Sequence, residues 1–359
     1  MHVSLNLPLN SVSFGQLSFN VIRSLFDSNI DLLISPIGQV DASSQSINEK
    51  LASKLKKAIE DFPDFHKRSS NIFKIWHLNG GIESFSEKQI LLSFYELDSP
   101  TKSEINCVKN NYKVCFSSKA TVDLFKNLGC DNVFYLPLAF DKYNFFNTNK
   151  KYFEDRITFN LVGKLEKRKH HVKLIKAWLK KYGNNKDYSL QCAIYNPFIK
   201  EDKQKMILNE ALNDKKYFNI SFLSFMQQNI LYNDFLNSGD IVIGMSGGEG
   251  WGLPEFHSVA LGKYGVIMDG SGYRSWADKE NSILVKPSSK IEAYDDIHFL
   301  KNSKYNQGNI LDFKEDDFID ACEKAISLYK NKKINEQGLK LQKDFSPENL
   351  VKNITNIIK

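Results

Sequence analysis

The sequence is short of cysteine. The five present, at 107, 115, 130, 192 and 322, are odd in number, scattered and never spaced Cys-x-x-Cys. That argues against a disulfide frame and a cysteine-built zinc site, and reduced thiols in a cytoplasmic protein are expected. Long apolar runs are missing too: the longest, such as residues 90–95, are strand-length, against the roughly 18 residues of a membrane span. Met1-His2-Val3-Ser4-Leu5 carries no basic leader and no cleavage site, so no secretory signal is expected. Charge is nearly balanced, with 48 Lys and Arg against 42 Asp and Glu, a net +6. Residues 1–140 hold 14 of each sign, so the whole excess lies in residues 141–359, with 34 against 28. A surplus so modest and one-sided fits a small anionic ligand and lacks the basic stripe of a nucleic-acid binder. No repeat, no low-complexity tract and no Asp-x-Asp occurs.

What is present is an ordinary globular composition, 42% hydrophobic and 25% charged, which excludes disorder and fibre. At about 100–200 residues per domain, 359 residues suggest two. Short β-branched or aromatic runs at 2–7, 31–35, 71–76, 89–95, 112–116 and 132–136 read as strands. Helical patterns at 17–26, 47–60, 102–109 and 119–127 alternate with them. A second series of strands follows at 157–162, 188–194, 219–223, 240–245, 265–268 and 282–285, and helices at 317–329, 334–343 and 347–358 close the chain. Interleaving of this kind means βαβ units and parallel sheets. The stretch around 139–153 breaks both periodicities. The expected architecture is therefore α/β: a first Rossmann-like domain over 1–140, a linker over 141–153 and a second Rossmann-like domain over 154–345. A final helix, 346–359, is expected to pack back on the first domain.

Two segments carry the chemistry. Ser246-Gly247-Gly248-Glu249-Gly250-Trp251-Gly252-Leu253-Pro254-Glu255 lies between a strand and a helix whose first turn holds Pro254. Four glycines in six residues bare the backbone amides, and the helix N-terminus adds partial positive charge, as an anion site requires. The same glycines would serve a plain tight turn, but a carboxylate among them, Glu249, suits hydrogen bonding to sugar hydroxyls. The second segment, Gly163-Lys164-Leu165-Glu166-Lys167-Arg168-Lys169-His170-His171, follows the first strand of the second domain. Its cations suit a pyrophosphate, and a solvated basic turn is the plainer alternative. Adjacent His170 and His171 at a helix start point apart, and no metal site is expected there.

Together these segments resemble the retaining, nucleotide-sugar-dependent glycosyltransferases of family 4, which have the GT-B fold of two doubly wound domains across a cleft. That family shows Gly-Arg-Leu-x-x-x-Lys-Gly and, some eighty residues later, Glu-Gly-Phe-Gly-Leu-Pro followed by a second Glu. The likeness extends to Tyr95-Glu96-Leu97-Asp98, Phe116-Ser117-Ser118, Leu136-Pro137-Leu138-Ala139-Phe140-Asp141 and Phe345-Ser346-Pro347-Glu348, and so covers most of the chain. It implies the donor on the second domain, the acceptor on the first, and a front-face transfer with retention. Lys164, Lys169 and Arg168 would take the leaving phosphate charge and Glu249 would position the sugar. Gly163, Gly248, Gly250, Trp251, Gly252, Leu253 and His257 would line the donor site. His77, at the end of a first-domain strand, matches a histidine that contacts the transferred sugar in the family, and a purely structural histidine fits there equally. The chain departs from the family at His257, where the ribose-holding second Glu belongs, and at Lys164, which replaces Arg and loses its bidentate fork.

The expected partners are a nucleotide-diphosphate sugar, which is a co-substrate with no further cofactor and no metal, and a glycan, lipid-linked or other hydroxyl acceptor. A nucleic-acid acceptor with modified bases stays open as an alternative, disfavoured by the neutral first domain. So do a binding protein that has lost catalysis and another enzyme class on the same fold, a phosphorylase or an epimerase. The basic amphipathic stretch 49–59 allows peripheral contact with the inner face of a membrane, but Glu60, Asp61 and Asp64 follow at once and favour a surface helix.

Overall fold

The computed structural model describes residues 2–359. Each domain is built on one parallel six-stranded sheet. In the first, β1 (His2–Leu7), β2 (Asp31–Pro36), β3 (Asn71–Ile75), β4 (Lys88–Ser93), β5 (Lys113–Phe116) and β6 (Val133–Tyr135) lie in the order β2-β1-β3-β4-β5-β6. In the second, β7 (Ile157–Val162), β8 (Tyr188–Ala193), β9 (Ile220–Phe222), β10 (Ile241–Gly244), β11 (Tyr264–Met268) and β12 (Ser282–Val285) lie in the order β12-β11-β10-β7-β8-β9. The strands read as near-continuous apolar runs because helices cover both faces, and Ile241, Val242 and Ile243 of β10 are all buried.

Strand order decides where a ligand can sit. It reverses between β1 and β3 in the first sheet and between β7 and β10 in the second, where Leu161 lies opposite Ile243. Crevices open outside the carboxyl ends of strands at such switch points. The chain leaves β7 into Gly163–His171 and β10 into Ser246–Glu255, so segments eighty residues apart in sequence meet at one crevice.

The stretch expected as a linker is more than a tether. Phe140, Asp141, Asn144 and Phe145 are buried, and the Phe140 amide donates to the Phe345 carbonyl at 2.8 Å, so the outgoing and returning crossings lie side by side. The Phe146 and Thr148 amides donate to Asn233 and Asn237 on the helix Asn229–Ser238. The sequence shows no period here because the buried side chains hang from irregular backbone.

The closing helix, Pro347–Ile358, lies against Ser13–Asp27 of the first domain, buries Leu350, Val351, Ile354 and Ile358, and is capped by Ser346. Its last carbonyls accept from first-domain side chains, Ile357 from Lys113 at 2.6 Å and Ile358 from Asn71 at 2.5 Å. The basic stretch around 49–59 is the surface helix Glu49–Glu60, which turns Leu55 and Ala58 inward and its lysines outward. No helix is long and apolar enough to cross a membrane among the described residues.

One element escaped the sequence reading. Residues 289–312 form an antiparallel hairpin, β13 (Ser289–Glu292) and β14 (Asn309–Asp312), joined by residues 293–308. Its strands are four residues long and mixed in polarity, and they carry no periodic signal.

Ile354→Ala tests the return of the chain to the first domain. The side chain is fully buried, so its truncation should cost about 2–5 kcal/mol. Urea unfolding should show a lower midpoint, and an unchanged midpoint would contradict this packing.

Candidate functional site

At the crevice of the second domain the two segments are stitched together. The Gly247 amide and the Ser246 hydroxyl both donate to the Arg168 carbonyl, at 2.8 and 3.2 Å. After β7, Lys167–Lys169 forms one tight turn, His170 takes a left-handed backbone (φ +56), and the helix His171–Tyr182 begins. After β10, Gly252 adopts φ +81 before the helix Leu253–Ala260, and a Cβ there would stand 2.2 Å from the Tyr273 ring. Only glycine fits that position.

This stitching concentrates charge. The Arg168 guanidinium lies 2.7 Å from Glu249, 2.8 Å from Glu166 and 3.3 Å from Glu96, and also donates to the Gly248 carbonyl at 2.6 Å. The Lys169 ammonium lies 2.5 Å from Glu249 and 3.5 Å from Glu255, whose other contact is the Tyr273 hydroxyl, donating at 3.0 Å. Lys164, half exposed at the rim, reaches Glu166 at 3.1 Å.

Burial works against every charge in this group, and the neighbours decide which survive. Burial lowers the proton affinity of Arg168 and Lys169, but Glu249 and its fellow carboxylates outweigh it and hold both cations above their ordinary values. For Glu249 burial opposes ionisation, and Arg168 and Lys169 together overcome it, leaving a carboxylate below its usual range. Glu166 is held down to about 2: Arg168 and Lys164 prevail over burial. Burial dominates at Glu96 and Glu255, whose carboxyls are pushed up toward the neutral form. Arg168, Lys169 and Lys164 therefore meet Glu249 and Glu166, the two carboxylates held below their ordinary range.

The structure brings Gly163, Lys164, Arg168, Lys169, Gly248 and Glu249 together, and it places other expected residues differently. Gly248 and Gly250 were expected to bare amides toward a ligand. Their missing side chains also let the loop close on the first domain, where a Cβ would meet the Glu96 carbonyl at 2.6 Å and the Phe94 ring at 2.7 Å. Trp251, expected at the donor, is a core side chain edge-on to Phe256 and Phe345, because it points back toward the chain crossing. His257 likewise stacks on Phe145 at 4.3 Å, and burial lowers its pKa to about 3, so it is neutral packing. Leu253 opens its helix half-buried. His77 stands exposed beyond β3 against Phe14, and its pKa is lowered by surrounding atoms and by the charge of Lys164 in the other domain.

Four members of the cluster were missed as site residues: Glu96, Glu166, Glu255 and Tyr273. Glu166 and Glu255 sit inside the two segments and Glu96 inside Tyr95–Asp98. A signal was available, since cations in a dry crevice require carboxylates nearby. Tyr273 had none. Among the described residues no group of three or more His, Cys, Asp or Glu is arranged to hold a metal ion.

No protein-family model matches the chain, and no curated protein matches it in sequence. Solved structures do resemble it. The glycosyltransferase from Rickettsia africae superposes with a TM-score of 0.67 at 13% identity, over 99% of this chain and 97% of that one. The sucrose-phosphate synthase of Thermosynechococcus elongatus gives 0.66 at 11%, over 99% and 98%. HepE of Anabaena, in complex with UDP-glucose, gives 0.65 at 13%, again over 99% and 98%. At such identities the likeness establishes the fold: two Rossmann-like domains in the GT-B arrangement.

Glu166 gives the site a pH signature. Its folded pKa, about 2, lies below the unfolded value near 4.5, so its contribution is present above pH ~4.5 and lost as pH falls toward 2. Glu166→Gln should be less stable than the parent by about 3 kcal/mol at pH 7. The difference should shrink steadily below pH ~4.5 in urea titrations. A difference that does not change with pH would refute this assignment.

Proposed function

We propose that this protein is a retaining glycosyltransferase that moves a sugar from a nucleotide-diphosphate sugar to a hydroxyl acceptor without a metal ion. The observation that carries the reading is the buried Arg168–Lys169 pair at the switch-point crevice of the second domain, with Glu249 between the two cations. The resemblance of the two segments supports it. So does the company of the fold: a neighbouring structure, the Anabaena protein, is described in complex with UDP-glucose.

In the proposed reaction the bond between the anomeric carbon and the β-phosphate oxygen breaks, and a bond to the acceptor oxygen forms on the same face. The acceptor proton passes to the departing phosphate. Arg168, Lys169 and Lys164 stabilise the negative charge that grows on the diphosphate, in a water-poor site where such contacts are strongest. Glu249, kept ionised by the same cations, orients the sugar hydroxyls. His77, beyond β3 of the first domain, borders the sugar from the acceptor side, and the acceptor, a glycan or a lipid-linked hydroxyl, lies on the first domain. The cations do the work that Asp-x-Asp and a divalent metal would otherwise share.

His257 favours a second reading. Packed among aromatic rings where the resembled family has a ribose-holding Glu, it suits a protein that binds sugar nucleotides without turning them over. Nucleotide-induced stabilisation with neither transfer nor donor hydrolysis would establish that alternative.

A thermal-shift screen against nucleotide sugars tests the reading first, and no stabilisation by any of them would overturn it. With an active donor, Lys169→Ala should raise the nucleoside diphosphate dissociation constant and lower turnover by about 2–4 kcal/mol of lost stabilisation, roughly thirty- to nine-hundredfold. Glu249→Gln should cut turnover far more than melting temperature. Glu255→Gln should change turnover less, since Glu255 stands 3.5 Å from Lys169 where Glu249 stands at 2.5 Å. The reverse ranking would make Glu255 the working carboxylate. Full activity should survive excess chelator, and rescue by magnesium or manganese would rule out metal independence.

A further inference from the structure

The hairpin 289–312 belongs to the second domain by sequence, yet its apolar side belongs to the first. Ala293, Phe299 and Ile310 are buried in one cluster with Leu91, Tyr95, Leu97, Val108 and Phe116. Polar contacts fix the same docking. Asp98 accepts from the Asn309 amide at 2.8 Å and pairs with Lys290 at 2.8 Å. Glu104 accepts from the Asn306 amide at 2.7 Å, and the Thr101 hydroxyl donates to the Lys304 carbonyl at 2.6 Å.

The opposite side of the hairpin grips the crevice. The Leu311 amide donates to the Gly247 carbonyl at 2.9 Å, and the His170 ring contacts the Leu311 carbonyl at 2.8 Å. Lys173 pairs with Asp312 at 2.7 Å, and Lys167 donates to the Tyr294 carbonyl at 2.9 Å. A Cβ on Gly247 would stand 2.1 Å from the Leu311 carbonyl, so loop and hairpin are fitted to each other.

The domains also meet along a seam of different character. There Gln16 accepts from Asn229 at 2.8 Å, Gln227 donates to Ser43 at 3.0 Å, and the Asn229 amide donates to the Ser44 carbonyl at 3.0 Å. These are neutral polar contacts that water can replace.

We propose that the 289–312 hairpin is a permanent clasp: it stays docked on the first domain, fixes the glycine loop through Leu311, and leaves the Gln16–Asn229 seam as the side along which the domains part. The clasp rests on geometry alone and holds whatever the site binds. It also names Leu311 and His170 as positioning residues, whose backbone and ring transmit the docked state to the segment that carries Arg168.

Amide hydrogen exchange on the full chain tests this directly, because it reads local opening site by site. The amides of Ala293, Asn309 and Leu311 should exchange at least about a hundredfold more slowly than that of Asn229. Asp98→Ala, a largely polar change, should speed exchange at Leu311 and Gly247 together by about tenfold and leave Asn229 unchanged. Phe299→Ala should do the same from the apolar side. Gln16→Ala should speed Asn229 alone. Hairpin amides that exchange as fast as Asn229 in the parent protein would overturn the clasp. A loosened hairpin beside a Gly247 that keeps its parental protection would overturn the link to the glycine loop.

Discussion

The Arg168 guanidinium is the contact on which the arrangement of the molecule depends. It is almost wholly buried, and a buried cation costs several kcal/mol unless paired and hydrogen-bonded. Its partners come from three places: Glu166 in its own turn, Glu249 in the glycine loop, and Glu96 in the other domain. Satisfying this one side chain therefore fixes the basic turn against the glycine loop and the second domain against the first. Removing Arg168 itself would strip three carboxylates of their shared cation, a loss of about 3–5 kcal/mol. Few apolar contacts constrain so many elements at once.

Topology makes that convergence unavoidable. Because β7 and β10 are neighbours in the sheet, whatever follows them must share a crevice, and Phe94 and Glu96, just beyond the end of β4 in the first domain, lie close by. The glycines of the loop then serve close approach as well. With side chains at Gly248 or Gly250, the loop would stand off from the first domain and Arg168 would lose Glu96 as a partner.

How much of this is legible in the sequence follows from where its information is local. Strand and helix periodicity is local, and both sheets can be read from it. The two segments are local as well, since a strand end, a run of glycines and a helix start are contiguous. Burial direction is not. Trp251 and His257 stand in motif positions, yet both turn into the aromatic packing where the chain crosses between domains, with Phe345 arriving from far along the sequence. Glu96 and Glu255 look like surface acids until Arg168 and Lys169 are placed beside them. The hairpin is the extreme case: Ser289–Glu292 and Asn309–Asp312 are stable only because the first domain supplies their core, and no four-residue window can show that.

The balance of charge also explains how the crevice can hold its cations without a ligand and still receive one. Bare cations in a dry site would be expensive, but here each has a carboxylate within reach. On the proposed function, an incoming diphosphate competes with Glu249 for Lys169 and with Glu166 for Lys164. One anion replaces another, so binding does not require new desolvation of the cations. Burial opposes ionisation at Glu96 and Glu255 and raises the proton affinity of both carboxyls. On that proposal the carboxylates stand in for the phosphates between turnovers, and the oxygens of Glu249, displaced from Lys169, are left beside the sugar they would orient. A divalent metal would have to enter a site whose carboxylates are already committed to Arg168 and Lys169, and it would gain a ligand only by breaking those pairs.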